Sequence, residues 1–162
     1  MKRRQALKIS SIATIGLTAT VHGGCSKNNI LFNHGVASGD PLAERIILWT
    51  RVTPSKPGPV KVNLEISSDQ NFTSIAFAKV LSTSSLVDYT IKYDFFVKNI
   101  FKSGETFFYR FNASGSVSET GKTKTLAADV NKIKMGVFSC SNFPAGFFNA
   151  YQAAAEANDL DL

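Results

Sequence analysis

Residues 60–67, with the sequence VKVNLEIS, decide the fold because apolar and polar residues alternate along the whole stretch. Successive side chains of an extended chain point to opposite faces, so Val60, Val62, Leu64 and Ile66 would share one face. The opposite face would carry Lys61 and its polar neighbours. The stretch therefore predicts a β-strand with one face in a core and the other in solvent.

Similar segments lie before and after this stretch at short intervals, separated by turn residues and without helical periodicity. The predicted strands span residues 44–52, 60–67, 75–81, 88–100, 106–113 and 119–126. The proline-rich residues 54–59 predict a stiff loop, because proline lacks the backbone donor that a sheet requires. This pattern predicts a mainly β domain at residues 30–127, an Ig-like or fibronectin-III-like antiparallel β-sandwich.

Clustered aromatic residues in the later predicted strands are assigned to the core of this sandwich. They are Phe95, Phe96, Phe107, Phe108, Tyr109 and Phe111. Residues 101–107 (FKSGETF) stand where fibronectin-III domains have a tyrosine corner, but Phe107 replaces the tyrosine. The corner hydrogen bond to the backbone is therefore predicted to be missing.

The positive charge of the chain is concentrated at its N-terminus. The 162 residues carry a net charge of +6, from 18 basic and 12 acidic residues. Four of the basic residues lie among the first eight and the first acidic residue is Asp40, so residues 26–162 carry only +2. This distribution argues against a nucleic-acid partner. No apolar run approaches the roughly 20 residues of a membrane-spanning helix.

Residues 1–25 have the organisation of an export signal, with a basic head, a weakly apolar stretch at residues 9–21 and small residues before Cys25. The pair Arg3-Arg4 resembles a twin-arginine signal, and an ordinary secretory signal is the alternative. Cys25 is the predicted lipidation site of a lipoprotein, although His22 stands where leucine is usual. The alternative is that Cys25 is removed with the leader. Either type of export signal predicts a periplasmic or cell-surface protein. Lipidation of Cys25 would tether that protein to the membrane.

The pattern changes at residues 131–162. Residues 133–138 predict a short apolar strand, and residues 147–157 predict a helix with Phe147 and Tyr151 on one apolar face. The last residues, DLDL at 159–162, are typical of another strand beginning. A strand, a loop and a helix open an α/β unit, but they cannot bury their apolar faces alone. We therefore expect a truncated chain that ends within an α/β domain.

Single residues that could carry chemistry are few. Cys140 follows the predicted strand, at the edge where open α/β sheets bind ligands; an inert thiol or a disulfide with Cys25 are the alternatives. His34 is expected to make a structural hydrogen bond at the sandwich edge. Arg51 and Arg110 are expected to pair with acidic residues rather than with phosphate. Asp40 is expected to serve a turn at residues 39–41.

Five spaced blocks resemble the PhoD-like alkaline phosphatases. They are FNHGVASGDP at 32–41, ILWTRVTP at 47–54, YRF at 109–111, GKTKT at 121–125 and SCSN at 139–142. The resemblance implies an exported enzyme with an N-terminal β-sandwich followed by a metallophosphoesterase domain. It also implies hydrolysis of phosphate monoesters and diesters with Fe(III) and Ca²⁺, and it makes Cys140 an iron ligand.

The resemblance also implies that the other metal ligands would follow Leu162. The sequence is therefore interpreted as the N-terminal part of such an enzyme. It is expected to contain no catalytic residue and to be inactive alone. Its expected partners are the remainder of the catalytic domain and, in the whole enzyme, a phosphate ester. The alternative function is a lipid-tethered Ig-like or fibronectin-III-like binding module without catalysis.

Overall fold

The computed structural model describes residues 28–142, 144, 146–157 and 159–161. The predicted export signal, with His22 and Cys25, lies outside the described residues. Within them the protein is mainly β, and its helix α1 spans Asn149–Ala157. The strands are β1 (Ile30–Leu31), β2 (Val36–Gly39), β3 (Arg45–Arg51), β4 (Thr53–Pro54), β5 (Val60–Ser67), β6 (Phe77–Thr83), β7 (Thr90–Phe96), β8 (Thr106–Ala113), β9 (Ser116–Val117) and β10 (Gly121–Lys124).

The strands form three antiparallel sheets. A three-stranded sheet has the order β2-β3-β7, with β3 in the middle. A five-stranded sheet follows the path β10-β8-β5-β6, and β9 pairs with β8. Strands β1 and β4 form a small two-stranded sheet. The antiparallel, mainly β architecture is as the sequence predicts.

A single hydrophobic core contains residues of both larger sheets. Strand β5 supplies Val62, Leu64 and Ile66, each with no exposed surface, and β8 supplies Phe107 and Phe111 with none. These residues alternate along their strands because only every second side chain faces inward. Burial of this apolar surface is the main force that holds the two sheets together.

Aromatic rings connect the sheets across the core. The ring of Phe95 in β7 lies 5.5 Å from that of Phe107 in β8 and 5.1 Å from that of Phe77 in β6, measured between centroids. The assignment of Phe96 and Phe108 to the core is wrong. Phe96 is 53% exposed and Phe108 is half-buried, because each lies one position away from an inward-facing residue.

Strands β5 and β8 have the bounds that the alternation predicts. The predicted strands at 44–52, 75–81, 88–100 and 119–126 are observed as β3, β6, β7 and β10, with different ends. The predicted strand at 88–100 ends early as β7, because the N–H groups of Ile100 and Phe101 both donate to the carbonyl of Val97 and the chain turns there. The short strands β1, β2, β4 and β9 were not predicted.

The prediction that residues 54–59 lie outside any sheet is wrong at its first residue. Pro54 ends β4 and is paired with Ile30 of β1. Proline is tolerated there because the sheet has only two short strands, so an edge position is available for a residue without an N–H group. The following residues are a loop, as predicted.

The predicted strand at 133–138 is also not observed. Within the part of the chain that the structure describes, residues 131–142 include no strand, and Val137 is 83% exposed. A strand needs a hydrogen-bonded neighbour along its length. Here backbone pairing is seen only at Lys134, whose carbonyl accepts from the N–H of Asp161.

The predicted helix at 147–157 is confirmed as α1, which begins two residues later. No residue of α1 is buried. Phe147, just before the helix, is 93% exposed, and Tyr151 within it is 42% exposed. Among the described residues, no helix has both the length and the apolar character to cross a membrane.

The connection between β7 and β8 uses a threonine in place of a tyrosine corner. Phe107 is fully buried and has no hydroxyl group, as the sequence indicates. The backbone N–H of Gly104 instead donates to the Oγ1 of Thr125 at 3.0 Å, and Thr125 is only 2% exposed. The hydroxyl therefore comes from the segment after β10 rather than from β8.

Candidate functional site

Cys140 lies in an open cleft between residues 137–142 and the first turns of α1. The cleft has a volume of about 400 Å³ and is lined mainly by these two segments. The thiol is exposed and free, and Cys25, its alternative disulfide partner, lies outside the described residues. The backbone at Cys140 has a φ of 56°, in the left-handed region that few non-glycine residues adopt. The buried, inert thiol that was the other alternative is not observed.

Tyr151 of α1 holds the cleft together. Its ring centroid lies 4.9 Å from that of Phe138 and 5.7 Å from that of Phe148, and its hydroxyl is hydrogen-bonded to the hydroxyl of Ser141. The helix is therefore fixed against the segment that carries Cys140. Despite these contacts, the apolar residues around the cleft remain exposed to solvent.

The described residues do not form a complete metal centre around Cys140. No group of three or more His, Cys, Asp or Glu side chains is found among them within reach of one ion. Near the thiol the chain offers the hydroxyls of Ser139 and Ser141 and the amide of Asn142. Fe(III) and Ca²⁺ both require several oxygen or nitrogen ligands, often carboxylates. Cys140 can supply one ligand, and the rest of the donor set is not in the described part of the chain.

The structural hydrogen bond expected of His34 is made within a polar cluster that also contains Arg51. The guanidinium of Arg51 donates from Nη2 to Asp88 Oδ1 at 2.8 Å and from Nε to Oδ2 at 3.0 Å. His34 Nε2 contacts Arg51 Nη1 and lies 3.3 Å from Thr53 Oγ1. The hydrogen bond from Arg51 holds the pKa of Asp88 below its ordinary value. The Arg51 side chain is thus engaged by a carboxylate of its own chain.

Arg110 has the same structural role on the five-stranded sheet. Its Nε donates to Glu65 Oε2 at 2.8 Å, and its guanidinium carbon lies 4.1 Å from the centre of the Phe72 ring. The other carboxylate oxygen of Glu65 accepts from Asn63 and Asn112. The prediction that Arg51 and Arg110 pair with acidic residues is confirmed.

Three of the sequence blocks meet at one end of the sheets. Ser38, at the end of β2, donates a hydrogen bond to Thr123 Oγ1 in β10 at 2.8 Å and is also hydrogen-bonded to Tyr109 of β8. These hydroxyls join the edge of the three-stranded sheet to the five-stranded sheet. The chain reverses direction between β2 and β3, and Asp40 has a φ of 52°. The predicted turn at 39–41 is not formed as such, because Gly39 is still part of β2.

A groove of about 340 Å³ lies beside this junction, between residues 38–41, residues 122–124 and residues 160–161. Sequence reasoning did not identify Ser38, Thr123, Lys124 or Asp161 as contact residues. A signal was present, because the first three lie within blocks that carry the family resemblance. Spacing alone could not show that these blocks meet, since 85 positions separate Ser38 from Thr123.

The family model for the PhoD-like phosphatase N-terminal domain matches residues 18–127. The chain belongs to the PhoD-like phosphatase family. The matched residues include every strand in the described part of the chain, so the mainly β part is the family's N-terminal domain.

Two relatives extend this result. Alkaline phosphatase D of Bacillus subtilis (strain 168) is 30% identical over 142 residues, an alignment that covers 81% of this chain and 24% of the relative. A solved structure described as the structure of PhoD superposes with a TM-score of 0.70 at 29% identity, over 80% of this chain and 26% of the other. This PhoD-like chain therefore spans about a quarter of the length of the relatives that it matches.

Proposed function

We propose that this chain is the N-terminal part of an exported PhoD-like alkaline phosphatase or phosphodiesterase and has no phosphatase activity by itself. The observation that carries the proposal is the family match over residues 18–127, found in a chain that covers only 24% of alkaline phosphatase D. The absence of a complete metal-ligand group among the described residues supports the inactivity of the chain alone.

In this proposal, Cys140 is one ligand of a metal centre that the rest of the enzyme completes, with Fe(III) and Ca²⁺ as the metals that the resemblance implies. The exposed, free thiol in an open cleft supports this role. No catalytic step is assigned to the described residues, because they do not fit such a centre by themselves. Phosphate monoesters and diesters are the proposed substrates of the whole enzyme.

The test compares the 162-residue chain with the protein encoded by the whole reading frame that contains it. Both are assayed with p-nitrophenyl phosphate and bis(p-nitrophenyl) phosphate, and their iron and calcium contents are measured. We expect hydrolysis only by the longer protein. Activity of the 162-residue chain above background would contradict the proposal.

The role of Cys140 is tested in the longer protein with Cys140→Ala, and Val137→Ala, which removes no donor atom, is the control in the same exposed segment. Loss of a metal ligand should lower iron content and activity by roughly 10-fold or more, since even mutation of residues that hydrogen-bond to metal ligands has an effect of that size. The control should retain both. Full iron occupancy in Cys140→Ala would remove the assignment.

The alternative function, a lipid-tethered binding module without catalysis, is not favoured. A module that is stable alone would cover the apolar face of its helix with its own sheets. Instead Phe147, Phe148 and Tyr151 are 93%, 36% and 42% exposed. These residues fit a helix that is packed against further chain in the whole enzyme.

We also propose that the β-domain is of the Ig-like or fibronectin-III-like type. The sheet order supports this: β2, β3 and β7 correspond to Ig strands A, B and E, while β5, β8 and β10 correspond to C, F and G. Strand β6 pairs with β5 rather than with β7, so it departs from strand D of a constant-type Ig domain. The edge next to strand C thereby gains a strand.

Export and a lipid tether at Cys25 are further parts of the proposal, supported by the basic head, apolar stretch and Gly-Gly-Cys of residues 1–25. Cell fractionation tests them. Replacement of Arg3 and Arg4 by lysine should keep the protein in the cytoplasm, and Cys25→Ser should move it from the membrane to the periplasmic or extracellular fraction. An unchanged membrane fraction in Cys25→Ser would exclude the tether.

A further inference from the structure

Asp161 contacts two parts of the chain that lie 37 and 27 positions before it. Its carboxylate accepts from the Nζ of Lys124 at 2.6 Å through Oδ1 and from the backbone N–H of Lys134 at 2.8 Å through Oδ2. Its own N–H donates to the carbonyl of Lys134 at 2.7 Å. One residue thus makes three polar contacts, two with the segment that leads to Cys140 and one with the last residue of β10.

The surroundings of this contact reinforce it. The side chains of Lys124 and Asp161 are 33% and 31% exposed, so the ion pair is partly withdrawn from solvent. Leu160 lies against Gly136, where an added Cβ would stand 3.1 Å from Leu160 Cδ1. Hydrogen bonds from both lysines hold the pKa of Asp161 below its ordinary value, with that from Lys124 the largest cause. The carboxylate is therefore charged when it makes these contacts.

Lys124 belongs to the β-domain, and its strand is fixed there. Strand β10 pairs with β8 from Gly121 to Lys124, and Thr123 in the same strand is bonded to Ser38 across the two sheets. Residues 134–140, by contrast, form no strand and contribute no residue to the core. The Lys124–Asp161 ion pair consequently connects a strand that is paired within the sheet to a segment that has no strand partner among the described residues.

We propose that Asp161 is a positioning residue that ties residues 134–140 to strand β10, so that the β-domain sets the place of Cys140. The functional importance of the position of Cys140 rests on the proposed function. The contact of Asp161 with Lys124 and Lys134, called the tie below, does not depend on that function. The β-domain then has a mechanical role: it orients the start of the catalytic domain through one carboxylate held between Lys124 and the backbone of Lys134.

The test uses the full 162-residue chain and measures amide hydrogen exchange by NMR. The readouts are the protection factor of the Lys134 amide and the resonance position of the Cys140 amide. Lys124→Met and Asp161→Asn should each lower the protection of Lys134 by roughly 2- to 5-fold, the range expected for a partly exposed ion pair. The double variant should lose no more than either single variant, because both remove the same tie.

Rescue and control variants separate positioning from general structure. Lys124→Arg keeps the charge and should restore both readouts nearly to their original values. Asp159→Asn removes a neighbouring carboxylate that pairs with the side chain of Lys134 but not with Lys124. Any effect of Asp159→Asn should therefore add to that of Lys124→Met. Fluorescence of Trp49, the single tryptophan, reports whether the β-domain remains folded in each variant.

Several results would overturn the inference. Additive effects of Lys124→Met and Asp161→Asn would show that Asp161 acts only within its own segment. A change at Lys134 without any shift of the Cys140 resonance would show that the tie does not position Cys140. If Lys124→Met unfolds the β-domain, Lys124→Gln and Lys124→Arg decide, since both keep a long polar side chain but only the arginine keeps the charge that pairs with Asp161. No outcome depends on phosphatase activity, so failure of the proposed function would be recognised separately.

Discussion

Gly121 shows how a single position can be fixed by what lies opposite to it. It is paired across the strands with Tyr109, and a Cβ at Gly121 would lie 2.3 Å from atoms of the Tyr109 ring. Real Cβ atoms do not approach so closely, and the ring is confined because Tyr109 is 2% exposed. The glycine is therefore required by packing, and its backbone needs no unusual φ.

We expect Gly121→Ala to lower the free energy of unfolding by about 1–3 kcal/mol, because the added methyl group overpacks a rigid site. Urea unfolding followed by Trp49 fluorescence measures the change. Gly39→Ala is the matched control, since Gly39 also lies in a strand and has nothing within 4 Å of the added Cβ. Equal losses in the two variants would show that strand propensity, rather than the Tyr109 ring, is responsible.

Tyr109 itself predicts a specific loss of stability at alkaline pH. Burial raises its pKa to about 12, and the hydrogen bond with Ser38 offsets part of that effect. The raised pKa means that the folded protein holds the proton more tightly than the unfolded chain. The stabilisation is therefore complete below the ordinary pKa of 10.0 and is lost as the pH rises through about 12.

Measured against Tyr109→Phe, the protein should lose about 2–3 kcal/mol of stability across this range, since each pKa unit is worth about 1.4 kcal/mol. Unfolding in urea at a series of pH values gives the difference, and tyrosinate absorbance identifies the late-titrating residue. Parallel curves for the two proteins would contradict the assignment of this loss to Tyr109.

At the scale of elements, β5 is the strand on which the larger sheet depends. It pairs with β6 on one side and with β8 on the other, so its side chains have neighbours in two adjacent strands and across the core. Leu64 lies at its centre and has no exposed surface. A cavity at this position could not be filled by collapse of a flexible edge.

Leu64→Ala should consequently destabilise the protein by about 2–5 kcal/mol. Thermal or urea unfolding monitored through Trp49 provides the measurement. Val80→Ala truncates an apolar side chain in the neighbouring strand β6, where it is 64% exposed, and should change stability by less than about 0.5 kcal/mol. A loss of similar size in both would mean that the core does not lie between the sheets at β5.

Helix α1 behaves differently from the strands because it lacks a complete tertiary environment. A helix of nine residues is marginal alone, and its stability in proteins comes mostly from packing of its apolar face. Here that packing consists chiefly of Phe138 and Phe148 against Tyr151. The periodicity of the sequence predicted the helix correctly. It wrongly predicted a strand at 133–138, because a strand depends on neighbouring strands that periodicity does not reveal.

For the whole molecule, the buried residues define an autonomous unit. They run from Ile30 to Thr125, and no described residue after Thr125 is buried. The links to the later residues include the Lys124–Asp161 ion pair. The stability of the β-domain should therefore be nearly independent of residues 131–162.

A chain shortened to end at residue 130 should unfold cooperatively with a midpoint within a few degrees of that of the longer chain, since an exposed ion pair contributes at most about 1 kcal/mol. Trp49 lies in β3, so its fluorescence follows the domain in both chains. Loss of a cooperative transition on shortening would show that residues 131–162 are part of the folding unit.

The sequence by itself determined the class of fold, because period-two alternation, as in residues 60–67 and 106–113, leaves an extended chain few ways to bury its apolar face. It also indicated that Arg51 and Arg110 pair with acidic residues, without identifying those residues. The motif blocks indicated the family. The tertiary structure alone decided the pairing order of the strands, the threonine at the β7–β8 corner and the contact of Asp161 with Lys124. These contacts join residues tens of positions apart, and their geometry depends on packing that no local pattern encodes.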